Sequence, residues 1–336
     1  CEGDGRRFYT DGMHVHEYLK ELVKDTGIED MITVGEMSST SLDNCIRYSN
    51  PEEKELSMCF NFHHLKVDYK NGNKWELMDT DRKELKRLFE EWQIGMQEHN
   101  GWNSLFWCNH DQPRIVSRMG NEKDYWKQSA KMLVAAVHLM RGTPYIYQGE
   151  EIGMPNAHFK DIADYRDVES LNYYEILLKE GKTKEEAIKT LQERSRDNSR
   201  TPMQWSDEEN AGFSDVTPWI SVPDHYEEIN VENELKDQDS IYYFYKKLIE
   251  LRKEKEVIQE GTIEFFEKED DDLLAYERNY KEEHLVVLNN LTEREKEVEI
   301  PQLWTSYHKL IGNYDTENIK ENKVVLRPYE TLVLEK

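Results

Sequence analysis

Runs of apolar residues alternate along this chain with segments that repeat their apolar side chains at helical spacing. This order is typical of successive βα units, in which a helix follows each strand and returns over the sheet. It constrains the first part of the chain to a largely parallel sheet covered by helices. The predicted strands are 32–36, 56–62, 104–108 and 144–148, and the predicted helices are 16–24, one from Asp81, 125–140 and 241–253.

The helix that begins at Asp81 carries the clearest signals. Asp81 and Glu84 have the spacing of a capping box, which stabilises the first turn of a helix. Its apolar positions at i, i+3, i+4 and i+7 are Leu85, Leu88, Phe89 and Trp92. The first helix is predicted in the same way to turn inward Tyr18, Leu19, Leu22 and Val23.

From Gly261 onward, short β-type runs separated by charged turns replace the earlier pattern, which is typical of a small sandwich. Four βα units make half of a (β/α)₈ barrel. We therefore predict half a barrel at 1–258, with a polar, partly helical excursion at 149–234, and an all-β sandwich domain at 259–336. The acidic stretch 267–272, EKEDDD, lacks the ligand spacing of an EF-hand, so we interpret it as a hairpin turn.

Composition limits the partners of the chain. Its 44 basic and 69 acidic residues give a net charge of −25, which argues against nucleic acid and anionic membranes as partners. No apolar run approaches the ~20 residues that span a bilayer. The four cysteines lack CxxC spacing, so we expect neither a disulfide scaffold nor a zinc site, and free thiols favour the cytoplasm. Because the sequence opens at Cys1 within a glycine-rich stretch, we expect a fragment.

Carboxylates follow two of the predicted strands directly. Glu36 ends the first strand, and His110 and Asp111 follow the third. Carboxyl groups of unlike pKa that face one cavity are what cleavage of a glycosidic bond requires. From position alone, Glu36 could instead favour a helix start, and the His110-Asp111 pair could form a turn.

A histidine pair follows the second predicted strand. His63 and His64 at a strand end indicate packing more often than ligation. A zinc site formed with His110 would lack the HExxH motif and any tight histidine or cysteine spacing. We therefore expect no metal ion and no cofactor.

Four longer motifs change the balance between these alternatives. The motifs are TVGEMSSTS at 33–41, FWCNHDQPRIVSRMG at 106–120, GTPYIYQGEEIGMPN at 142–156 and RDNSRTPMQW at 196–205. They resemble the α-amylase superfamily of retaining α-glucosidases, in the branch that holds oligo-1,6-glucosidases and trehalose-6-phosphate hydrolases. The resemblance implies that Glu36 is the general acid/base, that Asp111 stabilises the transition state, that His110 binds a substrate hydroxyl and that Arg196 lines the glucose site.

The same resemblance implies that the four strands are strands five to eight of the barrel, its C-terminal half. The nucleophile of the family is an aspartate in a GFRxD-type motif after strand four, and no such motif precedes Glu36. We therefore expect the nucleophile to lie outside this sequence. Retaining geometry would hold it about 5 Å from the carboxyl group of Glu36.

The stretches 37–51 and 60–75 most resemble trehalose-6-phosphate hydrolases, which implies a phosphorylated disaccharide as substrate. Lys66 follows the second predicted strand, where its ammonium could bind the phosphate, and Arg47 is a weaker candidate. Lys70 and Lys74 more simply solvate their loop. An oligo-1,6-glucosidase and a non-catalytic binding subunit remain open as alternatives, and the sequence predicts no oligomeric state.

Overall fold

In the computed structural model, which describes residues 8–28 and 30–336, the first part of the chain forms a four-stranded parallel sheet. The strand order is β1-β2-β3-β4. Every strand is shorter than the sequence predicts. After β2, β3 and β4 the residues that continue the apolar runs line a cavity or join the core, whereas Ile32, before β1, is 74% exposed. The strands are β1 at Val34–Met37, β2 at Met58–Asn61, β3 at Asn103–Leu105 and β4 at Thr143–Pro144.

Eleven α-helices are assigned within the described residues. Five accompany the sheet, and four more lie in the excursion between β4 and the last long helix. The eleven are α1 Val15–Thr26, α2 Leu42–Ser49, α3 Arg82–Glu98, α4 Ile115–Met119, α5 Trp126–His138, α6 Val168–Lys179, α7 Lys184–Arg194, α8 Asp197–Arg200, α9 Val231–Lys236, α10 Ile241–Glu254 and α11 Glu256–Glu260. Within residues 8–28 and 30–336, none of the helices has the length and apolar character needed to cross a bilayer.

Helix α3 confirms the sequence pattern, and α1 contradicts it. The Asp81 side chain accepts a hydrogen bond from the Glu84 backbone N–H (2.9 Å), whereas the Glu84 side chain turns to Arg87 (2.6 Å) instead of completing the capping box. The four predicted apolar residues of α3 are buried. In α1 no side chain is buried, and Tyr18 and Leu22 are 65% and 61% exposed. The predicted inner face of α1 is therefore wrong, because Leu19 alone of the four packs against the main core.

The rest of the chain forms two antiparallel sheets, which confirms the predicted sandwich. One sheet has the order β5-β6-β7-β12-β9 and the other has the order β10-β11-β8. The strands are β5 Thr262–Phe266, β6 Leu273–Tyr280, β7 Glu283–Asn290, β8 Lys296–Glu299, β9 His308–Gly312, β10 Ile319–Lys320, β11 Lys323–Leu326 and β12 Thr331–Glu335.

The five-stranded sheet is buried on both faces. Along β6, Leu273 and Ala275 join the core between the two sheets. Leu274 and Tyr276 point the other way and join the core under the parallel sheet. Because alternate side chains of a strand lie on opposite faces, the five-stranded sheet contributes side chains to both hydrophobic cores.

The acidic stretch 267–272 forms the connection between β5 and β6, as the sequence predicts. The Lys86 ammonium donates to the backbone carbonyl of Glu267 (2.8 Å). Asp272 pairs with Arg82 (3.0 Å) and with Arg294 (2.6 Å). Cations of the protein thus neutralise the turn and tie it to the start of α3.

A buried arginine joins the two parts of the chain. Arg278 of β6 is fully buried and donates to the carbonyl of Leu139 at the end of α5. It also donates to the carbonyls of Gly261 (2.8 Å) and Thr262 (3.1 Å). The final carbonyls of a helix have no partner within the helix, so this guanidinium satisfies groups that would otherwise be buried and unpaired.

We predict that Arg278→Met lowers the free energy of unfolding by about 3 kcal/mol, because several buried carbonyl groups lose their donor. Urea denaturation followed by circular dichroism measures the change. Arg87→Met is the matched control, since the exposed ion pairs of Arg87 with Glu84 and Glu91 should contribute less than about 1 kcal/mol. Equal losses in the two variants would contradict the role of Arg278.

Candidate active site

A cavity of about 200 Å³ opens at the carboxyl edge of the parallel sheet. Its wall is largely aromatic, and Glu36 of β1 and residues after β3 and β4 add polar groups. Such a concave, apolar site with a few convergent polar groups is the usual form of a small-molecule pocket. The lining residues are Glu36, Phe60, Phe62, Phe106, Cys108, Asn109, His110, Tyr145, Ile146 and Tyr147.

The alternation of β1 turns Glu36 into this cavity. Gly35 is buried on the opposite face of the strand, where a Cβ atom would lie 2.6 Å from side-chain atoms of Leu56 and Met37. A side chain of any size is therefore excluded at position 35 without movement of its neighbours. Glu36 pairs in register with Phe60 of β2, and its carboxyl group is exposed at the cavity.

His110 and Asp111 lie in the turn that follows β3. The Asp111 backbone N–H donates to the side chain of Asn109 (2.8 Å), which fixes the turn. The imidazole of His110 is 65% exposed and its Nε2 atom lies 3.7 Å from Asp111 Oδ1. The structure thus brings His110 to the same cavity as Glu36, with Asp111 beside it.

Two arginines hold Asp111. Arg200 Nη2 donates to Asp111 Oδ1 (2.7 Å), and Arg196 Nη1 donates to the same oxygen (3.3 Å). Partial burial opposes the charged form of Asp111, but the charges of Arg196, His110 and Arg200 outweigh it and lower the pKa of the carboxyl group. Asp111 is therefore a carboxylate throughout the neutral range.

The network extends away from Asp111 through alternating charges. Asp167 lies 3.3 Å from Arg200 Nη1 and 3.8 Å from Arg196 Nε. Glu169 binds Arg196 Nη2 (2.7 Å) and the Lys74 ammonium (2.9 Å). Lys74 is thus a member of an ion-pair network, in contrast to the loop-solvating role that the sequence favoured.

The sequence analysis missed Arg200, Asp167 and Glu169. One signal could have found Arg200: it follows Arg196 by four residues, and residues at that spacing share a helix face. Arg196 precedes α8 and Arg200 ends it, so both guanidinium groups reach Asp111. No such local signal connects Asp167 or Glu169 to a site that lies far from them in sequence.

The two candidate cations for a phosphate group lie in different places. The Lys66 ammonium donates to the backbone carbonyl of Ser38 (2.6 Å), in the loop that follows Glu36. Arg47 is exposed in the last turn of α2, where its charge lowers the pKa of Glu53 as one of several smaller contributions behind Lys20. Neither Arg47 nor Lys66 lines the cavity, so the phosphate-binding role of each stays a prediction.

The three histidines considered for zinc have separate environments. His63 packs against Trp92, with ring centroids 4.9 Å apart, and His64 is buried with its Nε2 atom 2.9 Å from the Phe106 carbonyl. Only His110 of the three lines the cavity. Across residues 8–28 and 30–336, no cluster of three or more histidine, cysteine or carboxylate side chains has the geometry to hold a metal ion.

Comparison with known families gives two matches that follow one another along the chain. Residues 1–261 match the model "Alpha amylase, catalytic domain", and residues 273–333 match "Alpha-amylase SusG C-terminal domain". The first match contains the parallel sheet and every residue of the site described above.

Individual relatives cover nearly the whole chain. The trehalose-6-phosphate hydrolase of Bacillus subtilis is 51% identical over 99% of this chain, and that of Escherichia coli is 49% identical over 98%. The oligo-1,6-glucosidase of Bacillus cereus is 43% identical over 98% of this chain. In each case the chain spans about 60% of the length of the relative.

The crystal structure of a relative has the same fold over nearly the whole of this chain. The trehalose-6-phosphate hydrolase of Bacillus licheniformis superposes with a TM-score of 0.95 and 54% identity. The alignment covers 99% of this chain and 61% of that chain. The half-barrel and sandwich therefore have the fold of the corresponding part of this enzyme.

We predict that Arg200→Met raises the pKa of Asp111 toward its usual value, since the variant removes a 2.7 Å charge-assisted hydrogen bond to the carboxylate. Carbon-13 NMR titration of the aspartate carboxyl groups, assigned with Asp111→Asn, measures the shift. Arg47→Met removes the same charge from a residue that is not among the groups that shift the pKa of Asp111, so it should leave the Asp111 titration unchanged. An unaltered Asp111 titration in Arg200→Met would show that Arg200 does not set the charge state.

Proposed function

Because this chain belongs to the α-amylase family, we propose that it carries the acid/base part of a retaining α-glucosidase site. The polypeptide that contains it would hydrolyse trehalose 6-phosphate to glucose and glucose 6-phosphate. The observation that carries this proposal is one cavity that joins Glu36 to His110, with Asp111 beside it and held by two arginines.

Glu36 and Asp111 suit the two roles that such a site needs within this chain. The Glu36 carboxyl group would first donate a proton to the leaving glycosidic oxygen and then take one from water. Asp111 would remain a carboxylate, because Arg196 and Arg200 stabilise its charge. A fixed negative charge beside the sugar stabilises an oxocarbenium-like transition state. By the family resemblance, the attacking aspartate would lie outside these residues.

The arginines and His110 would position the glucose ring. Arg196 is held on the other side by Glu169 and Asp167, so its guanidinium has a fixed direction. His110 is exposed at the cavity and can donate to a sugar hydroxyl. Proximity of this kind lowers the barrier because the reacting groups are already oriented.

Lys66 supports a phosphorylated substrate. Its ammonium lies at the Ser38 carbonyl, just past the acid/base residue, and a point cation there can attract a sugar phosphate in a protein of strongly negative net charge. The higher identity to trehalose-6-phosphate hydrolases than to oligo-1,6-glucosidases points the same way. The second candidate, an oligo-1,6-glucosidase, is favoured by the substantial identity to that class over nearly the whole chain.

We further propose that the chain divides into domains at 1–258 and 259–336. The support is that β5, the first strand of the sandwich, begins at Thr262. The two family models also meet near this point.

A cytoplasmic location is also proposed. It rests on Cys45, Cys59 and Cys108, which are buried free thiols. Cell fractionation tests it, and recovery of the protein in a secreted or periplasmic fraction would exclude it.

Activity can be measured on a fusion that places residues 1–336 behind the part of the Bacillus subtilis relative that lies outside the match. We predict that Glu36→Gln and Asp111→Asn each lower kcat on trehalose 6-phosphate by about 10²–10⁴-fold, since each removes a charge or proton that the reaction requires. Glu264→Gln, on an exposed position of β5, is the control and should retain full activity.

The outcomes separate the candidate functions. Turnover of isomaltose in preference to trehalose 6-phosphate would identify the oligo-1,6-glucosidase alternative. Sugar binding without turnover in the parent fusion would identify a binding subunit. Appreciable residual hydrolysis in a correctly folded Glu36→Gln variant would remove Glu36 from the acid/base role.

We predict that Lys66→Ala raises KM for trehalose 6-phosphate about tenfold, because a charge-assisted contact to the phosphate is lost. KM for an unphosphorylated aryl α-glucoside should stay the same. Lys70→Ala tests a neighbouring exposed lysine of the same loop and should affect neither substrate. Equal losses on both substrates in Lys66→Ala would exclude a phosphate-binding role for Lys66.

A further inference from the structure

Glu150 is a buried carboxyl group that the proposed mechanism does not use. It begins a short 3₁₀ turn directly after Gly149, whose φ of 91° lies in the left-handed region, and it is only 7% exposed. Glu150 Oε2 accepts a hydrogen bond from the Tyr147 backbone N–H (2.9 Å). Burial of a carboxyl group costs free energy unless the group is paired, and buried carboxyl groups of this kind are concentrated at functional sites.

Tyr147 connects Glu150 to the cavity. The Tyr147 ring lines the cavity that contains Glu36, and its hydroxyl donates to the Ser199 carbonyl (2.7 Å). Ser199 immediately precedes Arg200, which holds Asp111. A change at the Tyr147 backbone would therefore move the cavity wall. It would also move the Ser199 carbonyl contact, next to the arginine that binds Asp111.

The charges around Glu150 oppose one another. Burial, with a smaller contribution from the charge of Glu151, raises the pKa of Glu150 to about 7, although the Tyr147 N–H, the Cys108 thiol and the Arg114 guanidinium act to lower it. The Cys108 thiol lies beside the carboxylate but donates to the Pro113 carbonyl (3.5 Å), and Glu150 Oε1 makes no regular hydrogen bond with any described residue. On α10, the buried phenol of Tyr245 also faces this charge.

We propose that Glu150 is a positioning residue, whose ionised carboxylate holds Tyr147, and with it the cavity wall, in the conformation that binds substrate. The inference rests on the proposed function. When Glu150 takes up a proton, its hydrogen bond from Tyr147 weakens and the segment 145–149 is held less firmly. Substrate affinity would then depend on pH in the neutral range.

The test compares Glu150→Gln with the parent fusion on trehalose 6-phosphate. In the parent, KM should fall about fivefold between about pH 6 and about pH 8, the factor that corresponds to a single hydrogen bond. In Glu150→Gln, KM should stay at the higher value throughout, because the amide cannot ionise. An active parent with a KM that does not change over this range would overturn the positioning role alone.

Variants at two neighbouring residues should shift the midpoint of the KM–pH curve in opposite directions. Glu151→Gln removes a nearby negative charge, so the midpoint should shift to lower pH. Cys108→Ala removes a group that favours the ionised form, so the midpoint should shift to higher pH. Shifts of equal sign, or none in either variant, would contradict Glu150 as the titrating group.

An infrared measurement separates this inference from the proposed function. The carbonyl band of a protonated carboxylic acid, absent in Glu150→Gln, should disappear from the 336-residue chain as pH rises through about 7. If the band titrates and the fusion hydrolyses no glycoside, the proposed function fails and the positioning role falls with it. If the fusion is active and no such band titrates, only the positioning role fails.

Discussion

The parallel register of four short strands is the constraint on which the site depends. It sets Glu36 opposite Phe60 and Phe60 opposite Ser104, so that the residues after each strand meet at one edge of the sheet. A shift of one residue in β1 would exchange Gly35 with Glu36. The carboxylate would then be forced against Leu56, and the cavity would lose the carboxyl group of Glu36. Backbone pairing thus decides which side chain of β1 reaches the cavity.

Local charge, rather than the net charge, governs the chemistry at that edge. The chain carries a net charge of −25, yet Asp111 is surrounded by guanidinium groups that are themselves held by Asp167 and Glu169. Because charges in water are screened over about 8 Å, the distant acidic surface contributes little inside this network. Because arginines and carboxylates alternate in this network, each arginine is partly buried while its charge remains paired. The site is therefore rigid without being strongly charged overall.

Features with a local cause could be predicted from the sequence. The start of α3 follows from Asp81 and its apolar face from helical spacing, and the alternation after Gly261 indicated the sandwich. Strand lengths could not be predicted, because after β2, β3 and β4 the apolar runs continue into residues that line the cavity instead of pairing in the sheet. The face of α1 was wrong because spacing shows that a helix is amphipathic but does not show what covers it.

The residues of the candidate site could likewise be predicted only in part. Glu36 lies in β1, and His110 and Asp111 lie in the turn after β3, so their placement at one edge was predictable from the order of βα units. The contacts of Asp111 with Arg196 and Arg200 join residues more than eighty positions apart in sequence. Arg47 lies in the last turn of α2 and does not line the cavity, and no local feature of the sequence could show this.

One sheet of the sandwich closes two hydrophobic cores, and this limits how the chain can evolve. Leu274 and Tyr276 contribute to the barrel side of the boundary as fully as Leu273 and Ala275 contribute to the other. The sandwich therefore cannot be exchanged between relatives as an independent domain. Recombination would have to exchange the surface of α5 that packs against the sandwich at the same time. Heating should likewise melt both parts in a single cooperative step, since neither can lose its shape without opening the core of the other.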